Sequence, residues 1–248
     1  MITIIGVKGL PMIKKGDDIG RLIVECVKDQ GDDVRDSDVI VVAQKIVSKS
    51  EGRVVDLKDV VPSFFAREVA RRTRRNARHV EVILRETSRI VRMQKSHIIT
   101  QTRHGFICAN AGVDRSNVSG RSHVVLLPED PDESATAIRT SIFQLSKRDV
   151  AVIVSDTFGR PWRLGYVNVA IGVAGMNPLK DYRGTKDLFD RTLTVTMIAV
   201  ADELASAAEL VMNKADGTPV AIIRGYSHPG GNGSAKDLIR PQELDMFS

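Results

Sequence analysis

Short apolar runs alternate with amphipathic stretches along the chain. Runs of about four to eight mainly β-branched or apolar residues are typical of buried strands. Such runs lie at residues 2–7, 39–43, 150–154 and 219–224. After Asp17 and Asp18, apolar residues recur at helical spacing, and Gly31 follows the last of them. This pattern predicts an amphipathic helix with an acidic N-cap and a glycine stop.

The remaining pattern predicts further helices and short strands. We expect a helix from Ser63 to about Ala77, a second that begins near Asp132, and a third over the alanine-rich residues 201–212. Local β-rich composition predicts short strands at 90–93, 97–102, 106–109, 124–127 and 165–175. Strands and helices are therefore mixed along the chain.

Breaks in the pattern bear on domain organisation. Gly159 and Pro161 are expected to end the β segment that begins at residue 150. No linker marks a domain boundary, so we predict one domain over residues 1–248. The arginine-rich residues 62–105 are a candidate for a smaller lobe within it.

The composition is that of an ordinary globular protein. Of 248 residues, 42% are hydrophobic and 27% are charged. No apolar run reaches the roughly 18 residues that cross a bilayer, so no membrane partner is expected. The N-terminus has no basic segment before its apolar run, so we expect no signal peptide and a cytoplasmic location. Cys26 and Cys108 both lie in apolar segments and are predicted to be buried thiols.

Positive charge is concentrated in one region. The net charge is +5, and nine arginines lie close together: Arg67, Arg71, Arg72, Arg74, Arg75, Arg78, Arg85, Arg89 and Arg92. Such a cluster can bind nucleic acid or a polyanionic small molecule, although a solvated helix face is commoner. Aromatic residues are only 4%, and no nucleic-acid fold signature accompanies the cluster. Nucleic-acid binding is therefore an alternative and not the main prediction.

Polar residues follow two predicted β segments, at about 110–117 and 155–157. Carboxylate, hydroxyl and amide oxygens are the ligands that Mg²⁺ and Mn²⁺ prefer. The predicted oxygen ligands are Asp114, Asn117, Asp156, Thr157 and either Glu203 or Glu209. Arg160 and Arg163 flank the following turn, and basic residues beside such a metal favour phosphoryl chemistry. An enzyme of metal-dependent phosphoryl chemistry, such as a phosphohydrolase, fits these residues.

Several common motifs are missing from the sequence. It contains no Walker A lysine motif, no dinucleotide-binding glycine fingerprint and no Gly-x-Ser-x-Gly elbow. The five histidines show no zinc-ligand spacing. Lys45 follows the strand predicted at 39–43, where it can reach a phosphate or a carboxylate.

Five segments together resemble one family. They are the Gly-Leu-Pro loop at 9–11 and residues 38–52, 110–117, 155–163 and 202–205, in this order. The sequence resembles the γ-glutamyl ligases of the deazaflavin coenzyme F420, over nearly the whole chain. Its length is similar to that of the single-domain archaeal type.

The resemblance implies a GTP-dependent amide ligase of coenzyme F420 biosynthesis. Such an enzyme adds L-glutamate through a γ-linkage to F420-0, and to F420-1, by way of an acyl phosphate, and releases GDP and phosphate. The resemblance also implies Mg²⁺ or Mn²⁺, with K⁺ as a further candidate cofactor. Its implied fold is α+β, with mixed and antiparallel sheets and helices, unlike the common ATP-dependent ligases, and it forms an intertwined homodimer.

The resemblance also assigns roles to residues of this chain. Asp156, Lys45 and Arg160 are the expected catalytic residues. The metal ligands would be Asp114, Asp156, Thr157 and Glu209. The nucleotide-binding residues would be Leu10, Pro11, Met12, Ile13, Ile40, Val41, Lys45, Asn117, Glu209, Leu210, Val211 and Met212. Trp162 and Tyr166 are candidates for contact with the deazaflavin ring.

Two departures from familiar patterns qualify these assignments. No Asn/Thr-Lys-x-Asp guanine motif is present, so the preference for GTP over ATP rests on the resemblance. Asn213 stands where we expect a glycine, which changes the demands on the loop there.

Overall fold

The computed structural model describes residues 1–117, 120–228 and 230–245. The strands are β1 (Thr3–Val7), β2 (Val39–Ala43), β3 (Val54–Asp56), β4 (Thr87–Gln94), β5 (His97–Thr102), β6 (Ile107–Ala109), β7 (His123–Val125), β8 (Ala151–Arg160), β9 (Arg163–Ala174), β10 (Lys180–Asp181), β11 (Met197–Ile198) and β12 (Val220–Arg224). The α-helices are α1 (Ile19–Asp29), α2 (Gln44–Ser50), α3 (Phe64–Thr73), α4 (Ala77–Arg85), α5 (Pro131–Ser146) and α6 (Val200–Met212). The predicted α+β class is confirmed.

The largest sheet has the strand order β1-β12-β2-β8-β9. β2 and β8 run parallel, and the other neighbouring strands are antiparallel. Apolar side chains fill β2, β12 and the first half of β8, and nearly all of them are buried. Continuous apolar strands of this kind indicate a sheet that is covered on both faces.

Two glycines show which helix covers which face. The register places Gly6 in the same row as Val173, so Gly6 and the neighbouring Gly172 face opposite sides of the sheet. A Cβ on Gly6 would lie 3.8 Å from the Cβ of Val211 in α6. A Cβ on Gly172 would lie 2.1 Å from the carbonyl oxygen of Pro131 in α5. Therefore α6 and α5 cover opposite faces, and Gly172 permits the close approach of α5.

A second, smaller sheet consists of β4, β5 and β6. α3 and α4 pack against each other, and their buried residues form a separate apolar cluster with Ile98 of β5. This region overlaps the lobe predicted at 62–105, whose boundary stays a prediction. A third small cluster lies around the β3–β7 pair.

The helix predicted from Ser63 to about Ala77 is wrong in its extent. The Ser63 side chain caps α3 as expected, but the helix ends at Thr73 because Arg74 adopts a left-handed conformation with φ of 54°. The side chain of Asn76 then accepts hydrogen bonds from the first turn of α4. The chain therefore forms two short helices instead of one.

The β segment that begins near residue 150 is also longer than predicted. Gly159 does not break the chain, since it lies inside β8 and pairs with Tyr166 of β9. The chain turns only at residues 161–162, so Pro161 marks the turn and Gly159 does not. The sequence pattern also gave no signal for α2, which begins directly after β2.

Other predictions from the pattern hold. Asp18 is the N-cap of α1, and its side chain accepts a hydrogen bond from the N–H of Arg21. Cys26 and Cys108 are buried thiols. Over the described parts of the chain, no helix has both the length and the apolar character that a membrane span requires.

Candidate active site

The candidate site forms where β2 and β8 separate. The parallel pairing ends at Ala43 and Ser155, after which β2 turns into α2 while β8 continues beside β9. Asp156 and Thr157 therefore lie just beyond the end of β2. A register shift in the β8–β9 pair falls immediately before Ser155. Irregularities of this kind redirect side chains, and they are common beside active sites.

A cleft of about 870 Å³ opens at this point. This volume is within the range of roughly 300–1,000 Å³ that is usual for small-molecule sites. Many of the residues predicted from the sequence line it, namely Leu10, Pro11, Met12, Ile13, Lys45, Asp114, Asn117, Asp156, Thr157, Glu209 and Met212. Tyr166 also lines the cleft. Segments that are far apart in the sequence thus line a single cleft.

Other predicted residues lie elsewhere, namely Ile40, Val41, Arg160, Trp162, Glu203, Leu210 and Val211. Ile40 and Val41 are fully buried in β2. Arg160 donates hydrogen bonds to two carbonyl groups at the start of β9. Leu210 is exposed on α6, and Val211 packs against the core. Their assigned roles stay predictions, without a cleft-facing side chain to support them.

Asp156 is the most electrostatically perturbed carboxylate of the cleft. Burial raises its pKa to about 6, and the nearby charge of Asp114 adds to the rise. The backbone N–H of Thr157 and the ammonium groups of Lys45 and Lys214 act in the opposite direction. A desolvated carboxylate of this kind is stabilised when a cation binds beside it.

Asp114 has a different environment. Its Oδ2 lies 2.7 Å from the ammonium nitrogen of Lys45. Ser116 donates its hydroxyl to the same oxygen at 2.8 Å and its backbone N–H to Oδ1 at 2.9 Å. Burial alone would raise the pKa of Asp114, but the hydrogen bonds from Lys45 and Ser116 outweigh it and lower the pKa. Asp114 is therefore ionised at neutral pH.

A polar network joins Thr157, Asn168, Glu209 and Lys214 in the cleft. Thr157 donates its hydroxyl to Oδ1 of Asn168 at 2.8 Å, and Nδ2 of Asn168 donates to Oε2 of Glu209 at 2.8 Å. Lys214 donates to Thr157 Oγ1 and to Asn168 Oδ1, and lies 3.2 Å from Oε1 of Glu209. Asn168 is only 3% exposed, so its amide has little access to water. The network fixes Thr157 and Glu209 relative to each other.

One face of α6 holds β9 in position. Asp202, Ser206 and Glu209 are spaced by four and three residues, which places them on the same side of the helix. Asp202 accepts a hydrogen bond from the N–H of Ala170, and Ser206 donates to the carbonyl of Asn168. α6 therefore positions both the backbone and the side chain of Asn168.

Two buried polar groups of the cleft have no hydrogen-bond partner among the described residues. They are Oγ of Ser155 and Nε2 of Gln44, and both residues line the cleft. Both are at least 98% buried. Because an unpaired buried polar group costs roughly 1–3 kcal/mol, such groups indicate a site built for a polar ligand.

Four non-glycine residues in or next to the lining of the cleft have a backbone φ in the left-handed range. Asn110, Ala111, Asn117 and Asn213 all have positive φ, although none is a glycine. Asn213 has φ of 49° and ψ of 165°, a combination that favours glycine. The unusual asparagine noted in the sequence therefore occupies a position with glycine-like geometry. Strain of this kind is typical of functional sites.

Gln44, Lys49 and Asn168 line the cleft although no site role was predicted for them. Lys214 lines it too, and it ends the segment after Glu209 that the resemblance implies completes the site. One signal was available for Asn168, because an asparagine within an apolar β segment is unusual. Burial lowers the pKa of Lys49, and the charge of Lys45 lowers it further.

The arginine cluster is divided among several local contacts. Arg71 and Arg85 form ion pairs with glutamates one helical turn away. Arg78 donates to two backbone carbonyls before α3. Arg75 donates to Oδ1 of Asn110 at 2.5 Å, and Asn110 lines the cleft. The cluster therefore reaches the cleft through Arg75, while the other contacts support local structure.

Comparison of the sequence with known proteins shows the family of the chain. The sequence profile of the F420-0:Gamma-glutamyl ligase family matches residues 8–225. A protein named Coenzyme F420:L-glutamate ligase from Methanothermobacter thermautotrophicus is 49% identical over 99% of this chain and 98% of its own length. Proteins of the same name from Methanocaldococcus jannaschii and Archaeoglobus fulgidus are 47% and 39% identical, each over 99% of this chain and 96% of its own length. The chain belongs to the F420-0:gamma-glutamyl ligase family.

Proposed function

We propose that this protein joins L-glutamate to coenzyme F420-0, and to F420-1, through a γ-linked amide bond, with GTP as the energy source. The observation that carries this proposal is the convergence of oxygen donors and lysines in one cleft. Asp114, Asp156, Thr157 and Glu209 supply the oxygens, and Lys45 and Lys214 supply the positive charge. Family membership names the substrates, and the cleft has the groups that phosphoryl chemistry requires.

Carboxylate activation explains why a nucleotide is needed. A carboxylate is a poor electrophile. An oxygen of the F420-0 carboxylate therefore takes the γ-phosphoryl group of GTP, and GDP leaves. The amine of L-glutamate then attacks the acyl carbon of the acyl phosphate. The amide bond forms, inorganic phosphate leaves with the bonding electrons, and the proton of the attacking amine passes to that phosphate. Lys45 and Lys214, which form ion pairs with Asp114 and Glu209, would bind phosphate oxygens and offset their charge.

The donor set fits Mg²⁺ or Mn²⁺. Asp114, Asp156, Thr157 and Glu209 would hold such an ion, which would polarise the phosphoryl group and offset its charge. Among the described residues, no three His, Cys, Asp or Glu side chains converge into a ready metal site. Hydroxyl and phosphate oxygens would therefore complete the coordination. The desolvated carboxylate of Asp156 and the unpaired hydroxyl of Ser155 support a cation here. K⁺ is a further candidate.

The apolar residues of the cleft suit the nucleotide base. Leu10, Met12 and Ile13 line the cleft and offer an apolar surface, whereas Lys45 offers a positive charge for the phosphates. Asn117 donates its side-chain amide to the carbonyl of Lys214, which ties two loops that border the cleft. Tyr166 also lines the cleft and offers an aromatic surface for the deazaflavin ring.

We further propose that the protein is a homodimer. The β8–β9 hairpin extends beyond the sheet and carries Trp162, Leu164 and Tyr166, of which Leu164 is 97% exposed. Residues 180–198 carry Leu188 and Phe189, and Leu188 is 99% exposed. Apolar surface of this extent marks an association surface, and a second copy of the chain is the occupant that the resemblance implies.

The ligase activity is tested by supplying GTP, Mn²⁺, L-glutamate and F420-0 together, and then by leaving out each of them in turn. GDP and the amide product are measured in each case. We expect GDP to form over many turnovers only when both F420-0 and L-glutamate are present, with one γ-glutamyl bond per GDP. ATP in place of GTP tests the choice of nucleotide. Rapid GTP hydrolysis without either acceptor would favour a phosphohydrolase instead.

The Asp156→Asn variant tests the metal role in the same assay. We expect metal-dependent turnover to fall at least about 100-fold, because the variant keeps the side-chain shape but removes a negative ligand. A normal circular dichroism spectrum would show that the fold survives. Full activity in this variant would contradict the role of Asp156.

A further inference from the structure

The ammonium group of Lys214 lies among three oxygen atoms of the cleft. Its Nζ is 2.5 Å from Thr157 Oγ1, 3.1 Å from Asn168 Oδ1 and 3.2 Å from Glu209 Oε1. Thr157 and Asn168 accept hydrogen bonds from this ammonium group, and Glu209 forms an ion pair with it. Thr157 and Glu209 are also ligands of the proposed divalent ion. The same oxygens therefore serve an internal cation.

We propose that Lys214 competes with the divalent ion for Thr157 and Glu209, and that it moves to the nucleotide phosphates when the ion binds. This inference rests on the proposed use of a divalent ion and a nucleotide. Two positive charges cannot share the same oxygens without strong repulsion at such short distances. The ammonium group must therefore leave these oxygens as the ion takes them.

Lys214 is suited to such a movement. Its side chain is 59% exposed, whereas that of Glu209 is only 26% exposed. A lysine has a long flexible stem and a compact charge, so it can change partners at small cost. Its α-carbon follows the strained Asn213 at the end of α6, and its carbonyl is held by Asn117. The backbone is therefore fixed while the ammonium group can move within the cleft.

The proposal makes metal and nucleotide binding cooperative. A displaced ammonium group needs a new negative partner, and the phosphates of a nucleotide supply one. Each ligand then binds more tightly in the presence of the other, by the same factor in both directions. Part of this coupling depends on Lys214, beyond any direct contact between phosphate and ion.

The test is Mn²⁺ binding to the intact protein without nucleotide, followed by electron paramagnetic resonance. We expect Lys214→Met to bind Mn²⁺ roughly fivefold more tightly than the native protein, because the competing cation is removed. Lys49→Met is the matched control, since Lys49 also lines the cleft but has no role in the proposed competition. We expect it to change the affinity by less than about twofold. Lys214→Arg keeps the charge and should stay near the native value.

A second measurement adds GDP to each protein. In the native protein GDP should tighten Mn²⁺ binding, and in Lys214→Met this gain should be smaller. Unchanged or weaker Mn²⁺ binding by Lys214→Met in a folded protein would overturn the proposal. If the native protein binds no Mn²⁺ and forms no amide bond, the proposed function itself fails. If it does both and Lys214→Met shows no tighter binding, only the competition is wrong.

Discussion

Asn168 joins the two parts of the proposed ligand set. Its side-chain oxygen Oδ1 accepts a hydrogen bond from Thr157 on the neighbouring strand, and its side-chain nitrogen Nδ2 donates one to Glu209 on α6. The register of the hairpin places Thr157 directly opposite Asn168. Because Asn168 is buried and its backbone is held by Ser206, neither side-chain contact depends on a mobile group. Positions of this kind commonly orient the ligands of a metal.

We therefore expect Asn168→Ala to weaken the use of metal by about 10- to 100-fold. The physical reason is that Thr157 and Glu209 lose the partner that orients their oxygens. The measurement is the Mg²⁺ concentration that gives half-maximal activity, together with Mn²⁺ binding without turnover. Ser63→Ala is the control, since it removes the cap of α3 at a cost of about 1 kcal/mol without touching the cleft. Equal metal dependence in both variants would show that Asn168 only stabilises the fold.

The sequence predicts some site residues and not others for a physical reason. Asp114, Asp156 and Thr157 could be predicted because they follow β segments that apolar runs make visible. The role of Asn168 could not, because its contacts depend on the hairpin register and on the packing of α6 against β9. Only the resemblance assigns Ile40 and Val41 to the nucleotide site, whereas their side chains lie in the core.

At the scale of elements, the length of β8 decides where the cleft opens. Gly159 suggested a break, but a glycine in a hairpin strand is tolerated when the partner strand continues beside it. β9 supplies that partner through Arg163. The sequence pattern does not predict the break between α3 and α4 either, because arginine rarely adopts the left-handed conformation that Arg74 has. Local pattern identified most strands and helices, while long-range pairing set their ends.

The loop before β2 is anchored to β12 by Arg224, and this contact predicts a pH dependence. Arg224 lies 2.8 Å from Oδ2 of Asp32 and also contacts the buried Asp38. The hydrogen bond from Arg224 lowers the pKa of Asp32 to about 2. A carboxylate with a lowered folded-state pKa adds stability above its unfolded pKa near 4, and this stability is lost as the pH falls toward 2.

Asp32→Asn should therefore lower the free energy of unfolding by about 1–2 kcal/mol at pH 7. The difference from the native protein should shrink below pH 4 and vanish near pH 2. Urea unfolding at a series of pH values measures it. Asp29→Asn removes an exposed carboxylate outside the Arg224 contacts and should show little effect. A constant difference across the pH range would mean that Asp32 acts through packing and not through charge.

At the scale of the whole molecule, two features lie outside the core. The β8–β9 hairpin and residues 180–198 carry several strongly exposed apolar side chains, among them Trp162, Leu164, Leu188 and Phe189. Asp156, Thr157 and Asn168 lie on the same hairpin. A partner that covers the hairpin tip would therefore also hold the strands that present the site. In the proposed dimer, assembly and catalysis would be linked through this hairpin.

Leu164 on the hairpin and Leu188 in residues 180–198 are the exposed side chains whose change tests this link. Leu164→Glu and Leu188→Glu should each weaken self-association at least about tenfold, because burying a leucine is worth roughly 1.5–3 kcal/mol and a buried glutamate adds a penalty. Sedimentation velocity over a range of concentrations measures the association. Phe143→Glu changes a half-exposed apolar residue on α5 and should leave association unchanged. Activity should fall with the dimer fraction as the Leu164→Glu protein is diluted. A protein that is monomeric and fully active, or a dimer that tolerates both leucine changes, would show that the hairpin and residues 180–198 do not form the interface.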